Sequence, residues 1–552
     1  SSTKIRENID NHRDISSLID PVVQEYIYHK GMYLREPEFK PILRAKAIAF
    51  ENAAGRDREV LDELGNTVLY EHPDAQAILT KIQVENDRLL ILRNTVEGER
   101  PAGFVSYREI GNEDLFGVLK DMELANLVRG KSSREILLIT GIYAREDGTG
   151  DSGVIRDAPQ QLLVEVLAKE LEKNYSFALF VAERGTATKE VVYVLERQGF
   201  IRPHMADEND KRTIYMVDMH EPLMFLHNLD TTIKEPFASN PAVLDAVEKN
   251  HKKLQIAMTK LYPGNLVLSL SSGIMYHRLV DRITALNDVP REPLVPRRLG
   301  KNMCVPFGKI LRGKVVPNTV TKTLHTDKVY EPDLNSFTIE PFPYYSPLKS
   351  QIETIKSFDR PVILVDDLVH TANRLQVLVP QFREDGIPIK KVVVGVLSGY
   401  GRDRMQCLKV PVESFYSRPN LRQWFVESTL YPFIGGDTVR REEMKVAGLQ
   451  PSINMILPYA TPRLSGCSRE ALVEFSACCI ENSRDLFQVL EAEYRKMYAK
   501  NLTLSRLSEA VILPLCPDKG SCMEYDENLA ASVYLENDLE TLWRMKEFLI
   551  KG

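Results

Sequence analysis

The chain has 552 residues, 43% of them hydrophobic and 27% charged, enough for roughly three or four domains with cores of their own. Its 71 basic and 77 acidic side chains leave a net charge of −6, which excludes a general polyanion-binding surface, so nucleic acid is not indicated as a partner. Seven dispersed cysteines include no C-x-x-C pair and no Cys/His cluster, which argues against a zinc knuckle or a secreted disulfide framework and for a reducing cytoplasm.

The first twenty residues, SSTKIRENIDNHRDISSLID, lack the apolar run of a signal peptide, and no later stretch approaches a membrane span. A cytoplasmic protein with small-molecule partners and no membrane contact is expected. Residues 1–87 read as mainly helical and carry no evident site chemistry. In the segment 88–228 the character changes to α/β. RLLILRNTVEGERPAGFVSYREI reads as a hairpin, REILLITGIYAREDGTG as a strand entering a glycine-bearing turn, and APQQLLVEVLAKELEKN as an amphipathic helix striped by Leu162, Leu163, Val166, Leu167 and Leu171. SFALFVAE, TATKEVVYVLERQGF and RTIYMVDM follow as strand, helix and strand.

That order resembles the GNAT acyltransferase fold. Arg145-Glu146-Asp147-Gly148-Thr149-Gly150 matches the family's [QR]-x-x-G-x-[GA] loop, whose backbone amides bind the coenzyme A pyrophosphate at a helix start. The resemblance implies acyl-CoA binding by Arg145, Gly148 and Gly150, with acetyl-CoA as the cofactor. Five residues before Phe200, where many members place a tyrosine, this chain has Leu195, with Tyr193 two residues away.

HEPLMFLHNLDTTIKEPFASNP, residues 220–241, has the prolines and polar residues of a linker. Asn240 and Pro241 then open a helix to about Leu261. The segment 236–440 alternates strands with helices: Leu266–Leu270 before Ser271-Ser272-Gly273 and a helix, then RPVILVDDLVHTANRLQ, then KKVVVGVLSGYGR. This alternation predicts a parallel, doubly wound sheet. Between the first two units lies a long cationic stretch bearing Arg297, Arg298, Lys301, Lys309, Arg312, Lys314 and Lys322, either a lid over an anionic ligand or a solvated hairpin. Residues 441–552 read as a helical domain or a dimerisation surface, which a homodimer would use. Leu472, Phe475, Cys479, Leu486 and Leu490 are its apolar anchors, and Cys478-Cys479 reads as core.

Val362–Val365 is a short, continuous apolar run that ends in Asp366 and Asp367. A Walker B strand would need a G-x-x-x-x-G-K-[ST] loop and a dinucleotide site a G-x-G-x-x-G turn; neither is present. Residues 362–375 resemble the PRPP-binding signature of type I phosphoribosyltransferases. The resemblance implies that Asp366 and Asp367 hold the ribose hydroxyls of 5-phosphoribosyl 1-diphosphate (PRPP), and that Thr371, Ala372, Asn373 and Arg374 hold its 5-phosphate. Ser271, Ser272 and Gly273 would hold the diphosphate, with Lys322 among the lid cations. Mg²⁺ would bind indirectly, through the PRPP that Asp366 and Asp367 grip, and His370, where purine-specific members carry an aspartate, would act as acid or base. Thr371-Ala372-Asn373-Arg374 stands where the usual form is T-G-x-T. The expectation is therefore a multidomain α/β phosphoribosyltransferase for a nitrogenous small molecule, fused to a GNAT-like acyl-CoA module. Two alternatives stay open: an acyltransferase whose second module senses PRPP, and a non-catalytic interaction protein that keeps both folds.

Overall fold

A computed structural model of the chain describes residues 48–551 apart from 95–97, 133–134, 146–156, 184–187, 204–211, 295–297, 312–313, 343–344, 442–445, 447, 463 and 520–523, together with scattered positions before residue 48. The first sheet begins with β1 (Ile48–Ala54), inside the segment expected to be helical, and two helices follow, α1 (Arg58–Thr67) and α2 (Ala75–Glu85). The sheet continues through β2 (Arg88–Asn94) and β3 (Arg100–Ile110). Helices α3 (Leu115–Leu119) and α4 (Met122–Lys131) then lead to β4 (Ile136–Ala144). Next come α5 (Ala158–Glu170), β5 (Phe177–Glu183), α6 (Lys189–Arg197) and β6 (Arg212–His227). Strands β1 to β6 lie side by side in chain order, antiparallel except for β4 and β5, which are parallel. Helix starts follow local chemistry: Asp57, Asp121 and Thr188 each accept the N–H three residues on, so an otherwise orphaned donor is satisfied.

The linker expected over 220–241 is in its first part a strand. Strand β6 runs for sixteen residues to His227. Its first half pairs with β5, and its second half lies between β7 (Asn265–Ser271) and β15 (Gln423–Val426), parallel to both. This corrects the expected sheet order, because β7 belongs to the first sheet and not beside the Asp366 strand. Between β6 and β7, α7 (Pro241–Leu261) starts as the sequence predicts: Asn240 accepts from the N–H groups of Ala242 and Val243, and Pro241 is the first helical residue. Helix α8 (Ser272–Leu286) follows β7.

The second sheet is all parallel and takes two of its strands from the cationic stretch, β8 (Met303–Pro306) and β9 (Val320–Thr321). That stretch also supplies β10 (Thr326–Tyr330) and β11 (Phe337–Pro341), which pair as a hairpin, before α9 (Leu348–Lys356). The second sheet then continues with β12 (Val362–Val369), α10 (Asn373–Glu384), β13 (Ile389–Ser398), α11 (Gly399–Leu408) and β14 (Val412–Arg418), in the order β9-β8-β12-β13-β14. Strand alternation divides β12 between two cores. Val362 and Leu364 pack with Leu378, Val379 and Phe382 of α10, whereas Ile363 and Val365 pack with Met275, Leu279 and Ile283 of α8. The sheet is covered on both faces, as a continuous apolar run requires.

After β15 come α12 (Glu427–Leu430), β16 (Asp437–Val439) and β17 (Gln450–Ile453), then α13 (Arg469–Tyr498), β18 (Leu515–Pro517) and α14 (Ala531–Lys551). A third sheet has the order β11-β10-β16-β17-β18. Helix α13 lies against α7, where Asn250 and Asn482 each donate a side-chain N–H to the other's carbonyl (2.7 and 3.0 Å). Phe475, Cys479, Leu486 and Leu490 are buried there, and Leu472 is partly buried.

Two buried polar groups join the first sheet to the second. Glu165 on α5 accepts from Arg278 of α8 (2.6 Å) and from the Tyr416 hydroxyl of β14 (3.0 Å). Arg418, 1% exposed at the end of β14, donates to the carbonyls of Leu171 (3.0 Å), His220 (2.7 Å), Asn420 (2.9 Å) and Met219. Arg418→Met should therefore leave several buried acceptors unpaired and cost at least about 3 kcal/mol, since each such group is worth about 1–3 kcal/mol. Urea unfolding of both proteins checks this, and a loss below about 1 kcal/mol would show that other donors replace the guanidinium.

Candidate functional site

Counted along the chain, the second sheet has the order 2-1-3-4-5, so its direction of winding reverses between β8 and β12. Loops leaving the carboxyl ends of two such strands diverge, and the crevice between them is where open α/β sheets bind ligands. Asp366 and Asp367 lie in the last part of β12 at this crevice, 8% and 6% exposed. The turn after β8 faces them. Asp367 accepts from the backbone N–H groups of Lys309 (Oδ2, 2.9 Å) and Ile310 (Oδ1, 2.9 Å). Asp366 Oδ1 accepts from the Asp367 N–H (2.8 Å) and lies 3.9 Å from Arg374 Nη1. Gly308 fills the remaining space: a Cβ there would sit 2.3 Å from Asp366 Oδ1 and 2.8 Å from Asp367 Oδ1.

The turn after β12 then delivers the predicted loop. His370 and Thr371 turn the chain, and Ala372, at φ +56°, precedes α10 in the left-handed conformation. A non-glycine residue pays roughly 1–2 kcal/mol for that conformation, which accounts for the glycine usual at this place in the resembled motif. Asn373 and Arg374 begin α10, so the first amides of the helix and the Arg374 guanidinium lie on the side of the acidic pair. His370 Nδ1 is 2.8 Å from Ser398 Oγ, and that oxygen also accepts the Gly401 N–H at the start of α11.

The third sheet adds charge from outside. Burial pushes the Asp437 carboxyl of β16 up, while Lys328 of β10, Lys309 and Arg374 act in the opposite direction. Lys322 is 4% exposed. Its N–H bonds the Cys304 carbonyl and the Leu324 N–H bonds Pro306, which carries this segment along β8 towards the same crevice.

Ser271, Ser272 and Gly273 are not brought to the acidic pair. Ser271 caps α8 at the end of β7, in the other sheet, and Ser272 Oγ donates to Asp230 (3.4 Å). The place expected for them is taken by Phe307-Gly308-Lys309. The signal for that turn is MCVPFGK, but it lies within the cationic stretch whose composition reads as a lid or a hairpin. Of the other lid cations, Lys314 lies over the Tyr276 ring at 4.4 Å, Arg298 and Lys301 are exposed, and Arg297 and Arg312 fall outside the described residues.

In the first module the ladder between the parallel strands β4 and β5 covers only Leu137–Ile139 against Ala178–Phe180. Beyond it, Thr140–Ala144 and Val181–Glu183 separate into a wedge. Arg145 bonds the Ala102 carbonyl through its N–H, and Gly148 and Gly150 lie outside the described residues. Leu195 is fully buried, and Tyr193 is exposed beneath the Arg197 guanidinium, 4.8 Å from its ring.

No protein-family model and no curated protein matches the chain. Among solved structures, 31% of the chain is similar to 98% of a chain in a NatC complex bound to a Gag peptide and CoA (11% identity, TM-score 0.22). The same share is similar to 99% of a chain assigned to the GNAT acetyltransferases from Desulfovibrio desulfuricans (12%, 0.22) and to 95% of an N-acyl amino acid synthase from uncultured soil microbes (16%, 0.22). The chain is a mixed α/β multidomain protein, and its first module is a sheet of β1–β6 in chain order with one parallel step. Among the described residues, no helix is long and apolar enough to cross a membrane.

Burial lowers the His370 pKa below the usual histidine value of about 6.5. The unfolded chain then takes up this proton at a higher pH than the folded one. The His370 contribution to stability should be absent above about pH 7 and increasingly unfavourable as pH falls below about 6.5 towards the folded pKa. Denaturant titrations of wild type and His370→Asn across pH 5–8 should give curves that converge at the alkaline end, with wild type losing more stability at the acid end.

Proposed function

We propose that the β8–β12 crevice binds Mg²⁺-PRPP and transfers its phosphoribosyl group to a nitrogen of a base-like small molecule, releasing pyrophosphate. The observation that carries this reading is the meeting, at one switch point, of an acidic pair, the cations Lys309 and Arg374, and the amino terminus of α10. PRPP asks for that combination: acceptors for a vicinal diol, and donors for two separated phosphate groups.

The two aspartates have different work. Asp367 already has both oxygens engaged by Lys309 and Ile310 amides, so it positions the β8 turn. Asp366, beside it, accepts from the ribose hydroxyls. The Thr371–Arg374 turn takes the 5-phosphate, and Lys309, Lys322 and Lys328 face the diphosphate as negative charge develops on it. Mg²⁺ arrives with the diphosphate and neutralises part of that charge. His370, neutral near pH 7, accepts the proton of the attacking nitrogen.

This division of labour predicts two different phenotypes. Asp366→Asn should weaken Mg²⁺-PRPP by roughly ten- to a hundred-fold, the equivalent of one charge-assisted hydrogen bond, with little change in melting temperature. Asp367→Asn turns an amide N–H towards one of two backbone donors and should cost about 1–3 kcal/mol of stability. Calorimetric titration and thermal melts read both, and unchanged PRPP affinity in Asp366→Asn would end the phosphoribosyl reading. Incubation with PRPP, Mg²⁺ and a metabolite extract separates enzyme from sensor, since only the enzyme releases pyrophosphate.

A second reading rests on the β4–β5 wedge. Two parallel strands that part company present backbone edges to an extended, amide-bearing ligand, as sheet edges do to added strands, and acyl-CoA is such a ligand. Acetyl-CoA at a hundred times its dissociation constant should then stabilise the full chain by about 2.7 kcal/mol, and Gly148→Val should abolish the shift. The full chain is required, because a fragment ending near residue 228 would separate β6 from β7 and β15. No melting shift with acetyl-CoA would rule out this reading.

A further inference from the structure

The second half of β6, with β7 and β15 on either side, forms a parallel strip of three strands in the first sheet. His227 is the last residue of β6, and Glu427 follows β15 directly as the first residue of α12. Helix α7 crosses beside them and contributes His251. His251 Nε2 lies 2.8 Å and His227 Nδ1 3.5 Å from the same atom, Glu427 Oε2. The two imidazole rings are 4.1 Å apart at 46° to one another.

These three atoms are all buried, all within 4.8 Å of one another, and none is in a hydrogen bond of acceptable geometry. Buried polar atoms are ordinarily satisfied. Three that converge on one point and remain unsatisfied are arranged as ligands to something placed among them. A tetrahedral ion with bonds of about 2.0–2.1 Å separates its ligand atoms by about 3.3 Å, and 2.8 and 3.5 Å bracket that edge. We infer that His227, His251 and Glu427 form a binding site for a divalent transition cation of the zinc class, independent of the acidic-pair crevice.

The surroundings are those of a metal's outer shell. Tyr431 donates to Glu427 Oε1 (3.2 Å) and itself accepts from Asn482 (2.9 Å), which leaves Oε2 to the ion. Gln255, one helical turn after His251, has its amide nitrogen 3.1 Å from His227 Nε2 and is held by Arg197 and Ser269. As placed, that amide donates to Nε2 and leaves the ring proton on Nδ1. With Nδ1 given to an ion, the His227 ring proton would sit on Nε2, next to the Gln255 side chain. Three protein ligands, two imidazoles and a carboxylate, are the donor set of sites that keep a position for water or substrate. Asp230, in the field of His251 and Glu427, and Ser272 beside it give that position polar neighbours.

The test uses Co²⁺ as a visible probe on the full chain after treatment with a chelator. One equivalent should bind with the intense d–d absorption of a low-coordinate site and be displaced by Zn²⁺. His227→Gln and His251→Gln, both at partly exposed positions, should each weaken Co²⁺ by at least about a hundred-fold while their circular dichroism stays native. Tyr431→Phe should weaken it by roughly ten-fold, the lower end for an outer-shell contact. No uptake by folded wild-type protein overturns the proposal. So does uptake that survives both histidine variants, or a thiolate charge-transfer band, which would place the ion on cysteine.

Discussion

Arg418 holds the architecture together at its least regular point. The β6–β7 ladder shifts register between Asp218 and Leu223, where Pro222 has no N–H to give. A ladder broken inside a protein strands carbonyl groups away from water. The Arg418 guanidinium comes from the end of β14 in the other sheet and takes the carbonyls of Met219 and His220 at that break. It also takes Leu171 of the first module. The guanidinium thus carries β6 from one set of partners to the next and, together with Glu165, ties the two sheets to each other.

Helix α8 uses that fixed geometry. It packs with Cys304, Ile363 and Val365 of the second sheet and with Leu266 and Leu268 of the first, within one continuous core. Its amino terminus carries Ser271 and Ser272 next to Asp230, while its far side supports β12 and therefore the acidic pair. Two parallel strips thus present two carboxyl edges, one with Asp366 and Asp367, the other with His227 and Glu427. A ligand at either edge bears on strands that share this helix, so packing gives them a physical connection.

What the sequence revealed depends on how local each determinant is. The Val362–Arg374 strand, turn and helix were legible because a short apolar run, a small-residue loop and a helix former are neighbours in the chain. The sheet to which a strand belongs is not local. Leu266–Leu270 has the composition of any buried parallel strand, and only the partners brought by β6 place it in the first sheet. The Pro222 and polar residues that read as a linker are a real break in pairing, but one that Arg418 bridges, so the strand goes on. His227, His251 and Glu427 left no trace at all in the text, since their spacings match no ligand motif and three separate elements deliver them.

The adjacent aspartates are neighbours in the chain but meet different surroundings in the fold. In a strand, successive side chains leave on opposite faces, so Asp366 continues the row of Val362 and Leu364 while Asp367 continues that of Ile363 and Val365. Two like charges next to each other repel unless each finds its own compensation. Asp367 finds it in two amides of the β8 turn, and Asp366 in its neighbour's N–H and Arg374. Gly308 is what lets that turn come close enough, since any side chain there would fall on both carboxylates. The Asp367 carboxylate therefore builds the wall of the crevice, while Asp366 beside it faces Arg374.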